Sequence, residues 1–302
     1  MSTRGSGVGK IRDAIILAGG LGTRMLPASL YTPKEALPLI DTPILNHLVW
    51  EATKAGATRI HLVLSERKNS HFEDFFQDGT IHGDDVRKDL PRDSLSLGTS
   101  EIEVIPHIQT EAGGVADAIS TAIDHVEGAF LVLLGDMLIM QDHFSPNDSG
   151  LENASKASKR LVEVFEETGL PCVGLCPVAV EEACNYGIAD ISEGLVLNII
   201  EKPEIFEAPS NLALCGRYIF PAETAAILES LPLSEFGEMQ SIFLLRYLID
   251  NGGLNAVNLE GMQMYDSGEP MAWLKSQIDH GLRRVDISSD LLEWLENRIS
   301  RI

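Results

Sequence analysis

An apolar run over residues 14–17 stops at Ala18 and a cluster of glycines, Gly19, Gly20 and Gly22; Thr23, Arg24 and Lys34 follow. Glycine has no Cβ, so such a turn lets backbone amides come close to phosphate oxygens. Arginine and lysine add the positive charge that a triphosphate needs. The pattern points to a bound nucleotide; a glycine-rich turn with incidental cations is the alternative. Two common phosphate motifs are absent. A P-loop needs Lys-Ser/Thr where this chain has Thr23-Arg24. A dinucleotide fingerprint needs a third glycine where Met25 stands. Pro27 and Pro33 disfavour a helix directly after the turn, so 19–38 reads as a long loop around a ligand.

Carboxylates and a further lysine stand at comparable places. The apolar strand expected over 129–134 ends in Gly135-Asp136. Ligands of open α/β sheets bind beyond the carboxyl ends of strands, where an aspartate suits a metal or caps a turn. Asp266, in Tyr265-Asp266-Ser267-Gly268, is either a second such ligand or an Asx-turn before a helix from 270. Glu201-Lys202-Pro203 follows an apolar strand; proline ends the strand and fixes both charges at its tip, or the pair is plain surface charge.

The elements that position these residues alternate through the first half. Strands are expected over 13–18, 59–64, 102–106 and 129–134, and helices over 44–56, 68–76 and 114–126, with an exposed polar insertion over 77–99. That alternation predicts an α/β fold with a mainly parallel sheet covered by helices on both faces. Residues 151–168 read as one exposed amphipathic helix. Strands over 171–180, 187–191, 195–201 and 213–219 make the second half strand-rich, and helices return over 221–230, 238–250, 270–280 and 287–299. The last helix, in 284–302, is either an oligomer contact or a simple amphipathic end.

Composition bounds the partners. The 302 residues carry a net charge of −22, which argues against nucleic acid, and 44% are hydrophobic, enough for a large core. An acidic protein binding phosphates must concentrate its cations locally or recruit a divalent metal. No apolar run has the length of a membrane span, and the polar start lacks a signal-peptide core. The expectation is a disordered leader over 1–10, no membrane partner and a cytoplasmic location. Of the four cysteines, Cys172 and Cys176 share one face of a strand and read as reduced core residues, with zinc as the alternative.

The strings Gly20-Leu21-Gly22-Thr23-Arg24-Met25-Leu26-Pro27 and Pro33-Lys34-Glu35-Ala36-Leu37-Pro38 resemble the signature of the sugar-1-phosphate nucleotidyltransferases, and within them the uridylyltransferase branch. The resemblance spans about residues 11–283. It implies a Rossmann-like nucleotidyltransferase fold with a nucleotide-binding half, 11–150, and a smaller strand-rich sugar-binding half, 151–283. It implies that Ala18, Gly19, Gly20, Gly22, Thr23, Arg24, Lys34, Gln109 and Gly114 bind the nucleotide, with Arg24, Lys34 and Lys202 catalytic. Gln109 would read the base, its amide pairing as donor and acceptor together. Asp136 and Asp266 would hold Mg²⁺, while Gly187, Glu201 and Lys202 would hold the sugar phosphate. Arg217 would reach a phosphate or brace the fold. The implied partners are a nucleoside triphosphate and a sugar 1-phosphate, UTP and glucose 1-phosphate on this branch, and further copies of the chain in a dimer or tetramer.

The chain departs from the branch at Gly19-Gly20, at Gly113 where a lysine is usual, at Ala116, and at Ser241-Ile242-Phe243 in place of Leu-Thr-Asp. GTP, dTTP or ATP, another sugar or cyclitol phosphate, and a non-catalytic nucleotide-sugar sensor stay open at this stage.

Overall fold

The computed structural model describes residues 9–76, 90–91, 102–231 and 241–301. The expected leader, apart from residues 9 and 10, lies outside them, as do most of the expected insertion and Gly237-Glu238-Met239-Gln240. The chain opens with β1 (Asp13–Leu17), passes through three short 3-10 turns, and forms a small ribbon of β2 (Pro38–Leu39) and β3 (Thr42–Pro43). Next come α1 (Ile44–Lys54), β4 (Arg59–Ser65), α2 (Glu66–Phe76), β5 (Glu103–Gln109), α3 (Val115–Ile123), β6 (Phe130–Leu134) and β7 (Met137–Met140). The second half runs through α4 (Gly150–Asn153), α5 (Ala157–Thr168), β8 (Cys172–Pro177), β9 (Gly187–Ser192), β10 (Leu195–Glu201), β11 (Leu212–Phe220) and α6 (Thr224–Ser230). It closes with α7 (Ser241–Asn251), β12 (Asn255–Asn258), β13 (Gln263–Asp266), α8 (Pro270–Arg283) and α9 (Ser288–Ile299).

Among the described residues, nine strands form one sheet in the order β5-β4-β1-β6-β11-β8-β12-β10-β9. The expectation of a mainly parallel sheet is corrected: the sheet is mixed. Strands β5, β4, β1 and β6 are mutually parallel, because helical crossovers carry the chain back to the same end of the sheet each time. Beyond β6 the pairings β6–β11, β11–β8, β12–β10 and β10–β9 are antiparallel, and only β8–β12 is parallel. The β9–β10 hairpin turns within two residues, and such a turn joins antiparallel strands only.

Alternate side chains feed two cores. Ala14 and Ile16 of β1 and Leu131 and Leu133 of β6 pack with α1 and α5 on one face. Ile15, Phe130 and Val132 pack with α3 and α7 on the other. Helices therefore cover both faces, as the alternation predicts. The expected single helix over 151–168 is two, parted by the extended backbone of Ala154 (φ −56°, ψ 151°), and its longer part is no exposed appendage: Leu161, Val162 and Phe165 are buried. Cys172, Cys176 and Cys215 are buried free thiols and Cys184 is an exposed one. No residue of α9 is buried, though Leu291 packs toward Gly281 of α8. No helix among the described residues is long and apolar enough to cross a membrane.

Candidate active site

Strand order fixes where the site must be. From β1 the chain moves outward to β4 and β5, then returns to the other side of β1 as β6. That reversal opens a crevice at the carboxyl ends of β1 and β6, the place where α/β sheets bind ligands. Gly135 closes the two strand ends on each other. Its N–H donates to the Leu17 carbonyl at 2.9 Å, and a Cβ there would lie 2.5 Å from that oxygen. Glycine after β6 thus presses Asp136 against the glycine loop.

The loop after β1 is held from beneath. Ala18 is buried, and its carbonyl accepts from Lys68 Nζ at 2.7 Å. Lys68 also donates to Glu35 Oε2 at 2.7 Å, where Glu35 is wholly buried. Gly22 takes a left-handed conformation (φ 66°), and Ser29 Oγ donates to its carbonyl at 2.8 Å. Thr23 begins the first 3-10 turn at the surface. Above Gly20 stands the Lys34 ammonium, 3.9 Å from where a Cβ would be; over Gly19 stands Gln109 Oε1, at 2.5 Å by the same measure. Both glycines leave room that a side chain would fill.

The charged centre follows. Lys34 Nζ donates to Asp136 Oδ2 at 2.5 Å. Burial disfavours charge on both groups, but each is the other's counter-ion. Asp136 consequently lies below the usual carboxylate value and Lys34 above the usual lysine value. Asp266 ends β13, which pairs antiparallel with β7 and sets Asp266 opposite Met137. The N–H and Oγ of Ser267 both donate to the Asp136 carbonyl at 2.9 Å, and the Gly268 N–H donates to Asp266 Oδ1 at 2.6 Å. A Cβ on Gly268 would lie 2.9 Å from Asp266 Oδ1, 3.2 Å from Asp136 Oδ2 and 3.3 Å from Arg24 Nη2. Two carboxylates and a guanidinium thus face one point. Burial raises the Asp266 pKa; the Gly268 N–H, Arg24 and Lys34 oppose that and the Asp136 charge adds to it. Two carboxylates facing one point fit a hard divalent cation that takes its other ligands from phosphate and water. Among the described residues no group of three or more His, Cys, Asp or Glu could hold a metal by itself, so the chain offers this pair and no closed cage.

On the far side lies the β9–β10 hairpin. Gly187 sits opposite Glu201, and a Cβ on it would meet Glu201 Oε2 and Leu214 Cδ1, each at 2.8 Å. Lys202 follows in a left-handed conformation (φ 46°) that few residues other than glycine adopt, and its N–H donates to the Tyr186 carbonyl at 3.0 Å. A cleft of about 590 Å³ joins this hairpin to the charged centre and is lined by Arg24, Tyr186, Lys202, Asp266, Glu269 and Lys275, among others. The Tyr186 hydroxyl is pushed up to about 12 by burial and by Asp266, Glu182 and Glu269, so it stays a donor near neutrality.

The structure therefore gathers the residues singled out in sequence into three adjoining groups: Gln109 and Gly114 beside the glycine loop, Arg24, Lys34, Asp136 and Asp266 at the centre, and Gly187, Glu201 and Lys202 across the cleft. One reading changes, and one pair of alternatives resolves to the bracing role. Both Gln109 amide protons point inward, to Asp117 Oδ2 at 2.6 Å and the Gly114 carbonyl at 3.5 Å, so the amide offers an acceptor only. Arg217 reaches no ligand space. It is buried, donates to Glu51 at 2.7 and 2.8 Å, and donates to the Met137 carbonyl at 2.9 Å, bracing the strand beside Asp136. Sequence reasoning missed Glu35, Lys68 and Glu51. Nothing in their spacing links Lys68 to Glu35 or Arg217 to Glu51, which lie 33 and 166 positions apart.

A glycine loop with Arg24 and Lys34, set against paired carboxylates, suits transfer of a phosphate-linked group more than acid–base chemistry. Residues 13–279 match the nucleotidyl transferase family, and the chain belongs to it. A UTP–glucose-1-phosphate uridylyltransferase of Haemophilus influenzae is 31% identical over 297 residues, covering 94% of this chain and 98% of that protein. A solved UDP-glucose pyrophosphorylase from Acinetobacter baumannii aligns with a TM-score of 0.80 at 27% identity, over 95% of this chain and 99% of the other. A UTP-bound UGPase structure from the same species gives 0.76 at 26% identity, over 94% and 98%.

Proposed function

We propose that this chain makes UDP-glucose and pyrophosphate from UTP and glucose 1-phosphate. The observation that carries the reading is the convergence of Arg24, Asp136 and Asp266 around Gly268, at one end of a cleft that Lys202 lines. Glucose 1-phosphate is already an anionic nucleophile at neutral pH, so no general base is required. Its phosphate oxygen attacks the α-phosphorus, and pyrophosphate leaves in line. Lys202 holds the attacking phosphate. Arg24 and Lys34 bind the triphosphate and offset the charge that builds on the departing pyrophosphate. Gly19, Gly20 and Gly22 let the loop backbone close on the phosphates, and Gln109 with Gly114 faces the base. Asp136 and Asp266 would hold Mg²⁺, which when bound supplies positive charge shared among the reacting phosphates. Glu201, folded over Gly187, accepts from sugar hydroxyls.

The test is pyrophosphate release over a grid of nucleoside triphosphates and sugar 1-phosphates, with and without Mg²⁺. UTP with glucose 1-phosphate gives the fastest release, and only with the metal. No release in any combination would overturn catalysis in favour of nucleotide-sugar sensing. Faster release with GTP, dTTP or ATP would overturn the choice of base.

A further inference from the structure

We infer that Asp117 is a positioning residue that sets which bases the enzyme accepts, by fixing the orientation of the Gln109 amide. The inference rests on the proposed function and deepens it. Gln109 ends β5, and Asp117 lies in the first turn of α3, so both flank the turn through Gly113 and Gly114. A carboxylate can only accept, so the group 2.6 Å from Asp117 Oδ2 must be the amide nitrogen of Gln109. The second amide proton points at the Gly114 carbonyl, at 3.5 Å. With both donors turned inward, the amide oxygen is the atom left over the glycine loop, above Gly19.

Two glycines make the arrangement possible. A Cβ at Gly113 would lie 2.6 Å from Asp117 Cγ and 2.7 Å from Oδ2, so only a residue without one lets the carboxylate tuck beneath the turn. A Cβ at Gly19 would lie 2.5 Å from Gln109 Oε1, so its absence leaves that acceptor a face toward the loop. The doubled glycine at 19–20, where the chain departs from the uridylyltransferase pattern, therefore serves the base reader as well as the phosphates.

An acceptor fixed in this way sorts bases by one proton. Uracil, thymine and guanine carry N–H at the ring nitrogen in the middle of the pairing edge and donate to it. Cytosine and adenine present a lone pair at that nitrogen and oppose it. A free glutamine would turn its amide over and serve either class. Asp117 forbids the turn, because it would set the amide oxygen against a carboxylate. The chain thus rejects CTP and ATP through a residue that need not touch the nucleotide.

The experiment compares kcat/KM for UTP and CTP, with glucose 1-phosphate and Mg²⁺, in the wild type, Asp117→Asn and Asp117→Ala, with unfolding midpoints confirming that each variant folds. Asparagine keeps the shape but can donate or accept, so the Gln109 amide turns freely. The expected result is a fall of about tenfold or more in the UTP-to-CTP ratio of both variants, mostly through better use of CTP. A merely structural role would lower both substrates alike and leave the ratio unchanged, which overturns the inference while the proposed function stands. Wild-type protein that uses UTP and CTP equally well also overturns it. Wild-type protein that turns over neither overturns the proposed function, and this inference with it.

Discussion

Replacing Gly268 by alanine separates catalysis from folding. The added methyl group would lie 2.9 Å from Asp266 Oδ1, 3.2 Å from Asp136 Oδ2 and 3.3 Å from Arg24 Nη2. The first distance is too short for carbon against oxygen, so Asp266 must retreat by roughly half an ångström. Its bond from the Gly268 N–H, 2.6 Å long, would stretch with it. The other two contacts would have to give by a few tenths. Gly268 is outside the left-handed region, so alanine fits its backbone without strain. The loss of unfolded-chain entropy then stabilises by about 0.4–1 kcal/mol and offsets part of the crowding. Misplacing reacting groups by about 1 Å costs on the order of 10²-fold in rate, so a shift of about half that costs roughly tenfold. The expected outcome is turnover lowered about tenfold, with unfolding free energy changed by no more than about 1–2 kcal/mol. Pyrophosphate release and urea unfolding, measured on the same preparations, check both. A Gly268→Ala enzyme with turnover within about threefold of wild type would refute the idea that the two carboxylates and Arg24 act at one point.

Other perturbations probe the cleft, the brace and the acid limit of stability. Lys202→Ala should raise the KM for glucose 1-phosphate by about tenfold or more and leave that for UTP within about twofold, since it removes one charge-assisted contact; an effect confined to UTP would move Lys202 to the nucleotide. Arg217→Met leaves Glu51 buried without its partner and should cost about 3–5 kcal/mol in urea unfolding, while Arg217→Met with Glu51→Met recovers most of it; equal losses in single and double variants would deny the pair its bracing role. Stability should also fall on acidification. His61, Arg59 and the Glu127 N–H outweigh burial and hold Asp13 at about 2, so the unfolded chain takes up that proton first. This contribution, about 2 kcal/mol, is complete above about pH 4 and lost toward pH 2. Burial pushes His47 and His280 down to about 3 and His107 to about 4. As the unfolded histidines protonate from about pH 6.5 downward, the fold loses stability before Asp13 begins to. Urea midpoints that stay level between about pH 7 and pH 4.5 would contradict these buried, neutral histidines.

Much of the fold was legible because its elements carry their own period. The alternation of Ile15 against Ala14 and Ile16 marks β1 as a strand buried on both faces, and the spacing of Ile44, Leu45, Leu48 and Ala52 marks α1. The small sheet of β7 and β13 was not legible. Its strands are four residues each, too short to show a period, and they meet only because residues far apart in sequence pair, Met137 with Asp266. That sheet sets Asp266 opposite the residue that follows Asp136, so the spacing of the two aspartates was hidden with it. Strand direction beyond β6 was hidden for the same reason, since β11 lies against β6 and β8 through contacts no local pattern records.

The sequence by itself pointed to the class of chemistry. The glycine loop with Arg24 and Lys34 and the Pro33–Pro38 block resemble one family of phosphate-transferring proteins, and the match over residues 13–279 bears out that class. Tertiary structure alone decided how each group is held. It turns Lys34 onto Asp136, ties Ala18 and Glu35 to Lys68, and commits Arg217 to Glu51. It also spends both Gln109 donors on Asp117 and Gly114, leaving an acceptor where the residue type allows either. The physical reason is common to all four. Residue type fixes what a side chain can donate, accept or charge, but which partner it meets depends on burial and distance, and only the folded chain sets those.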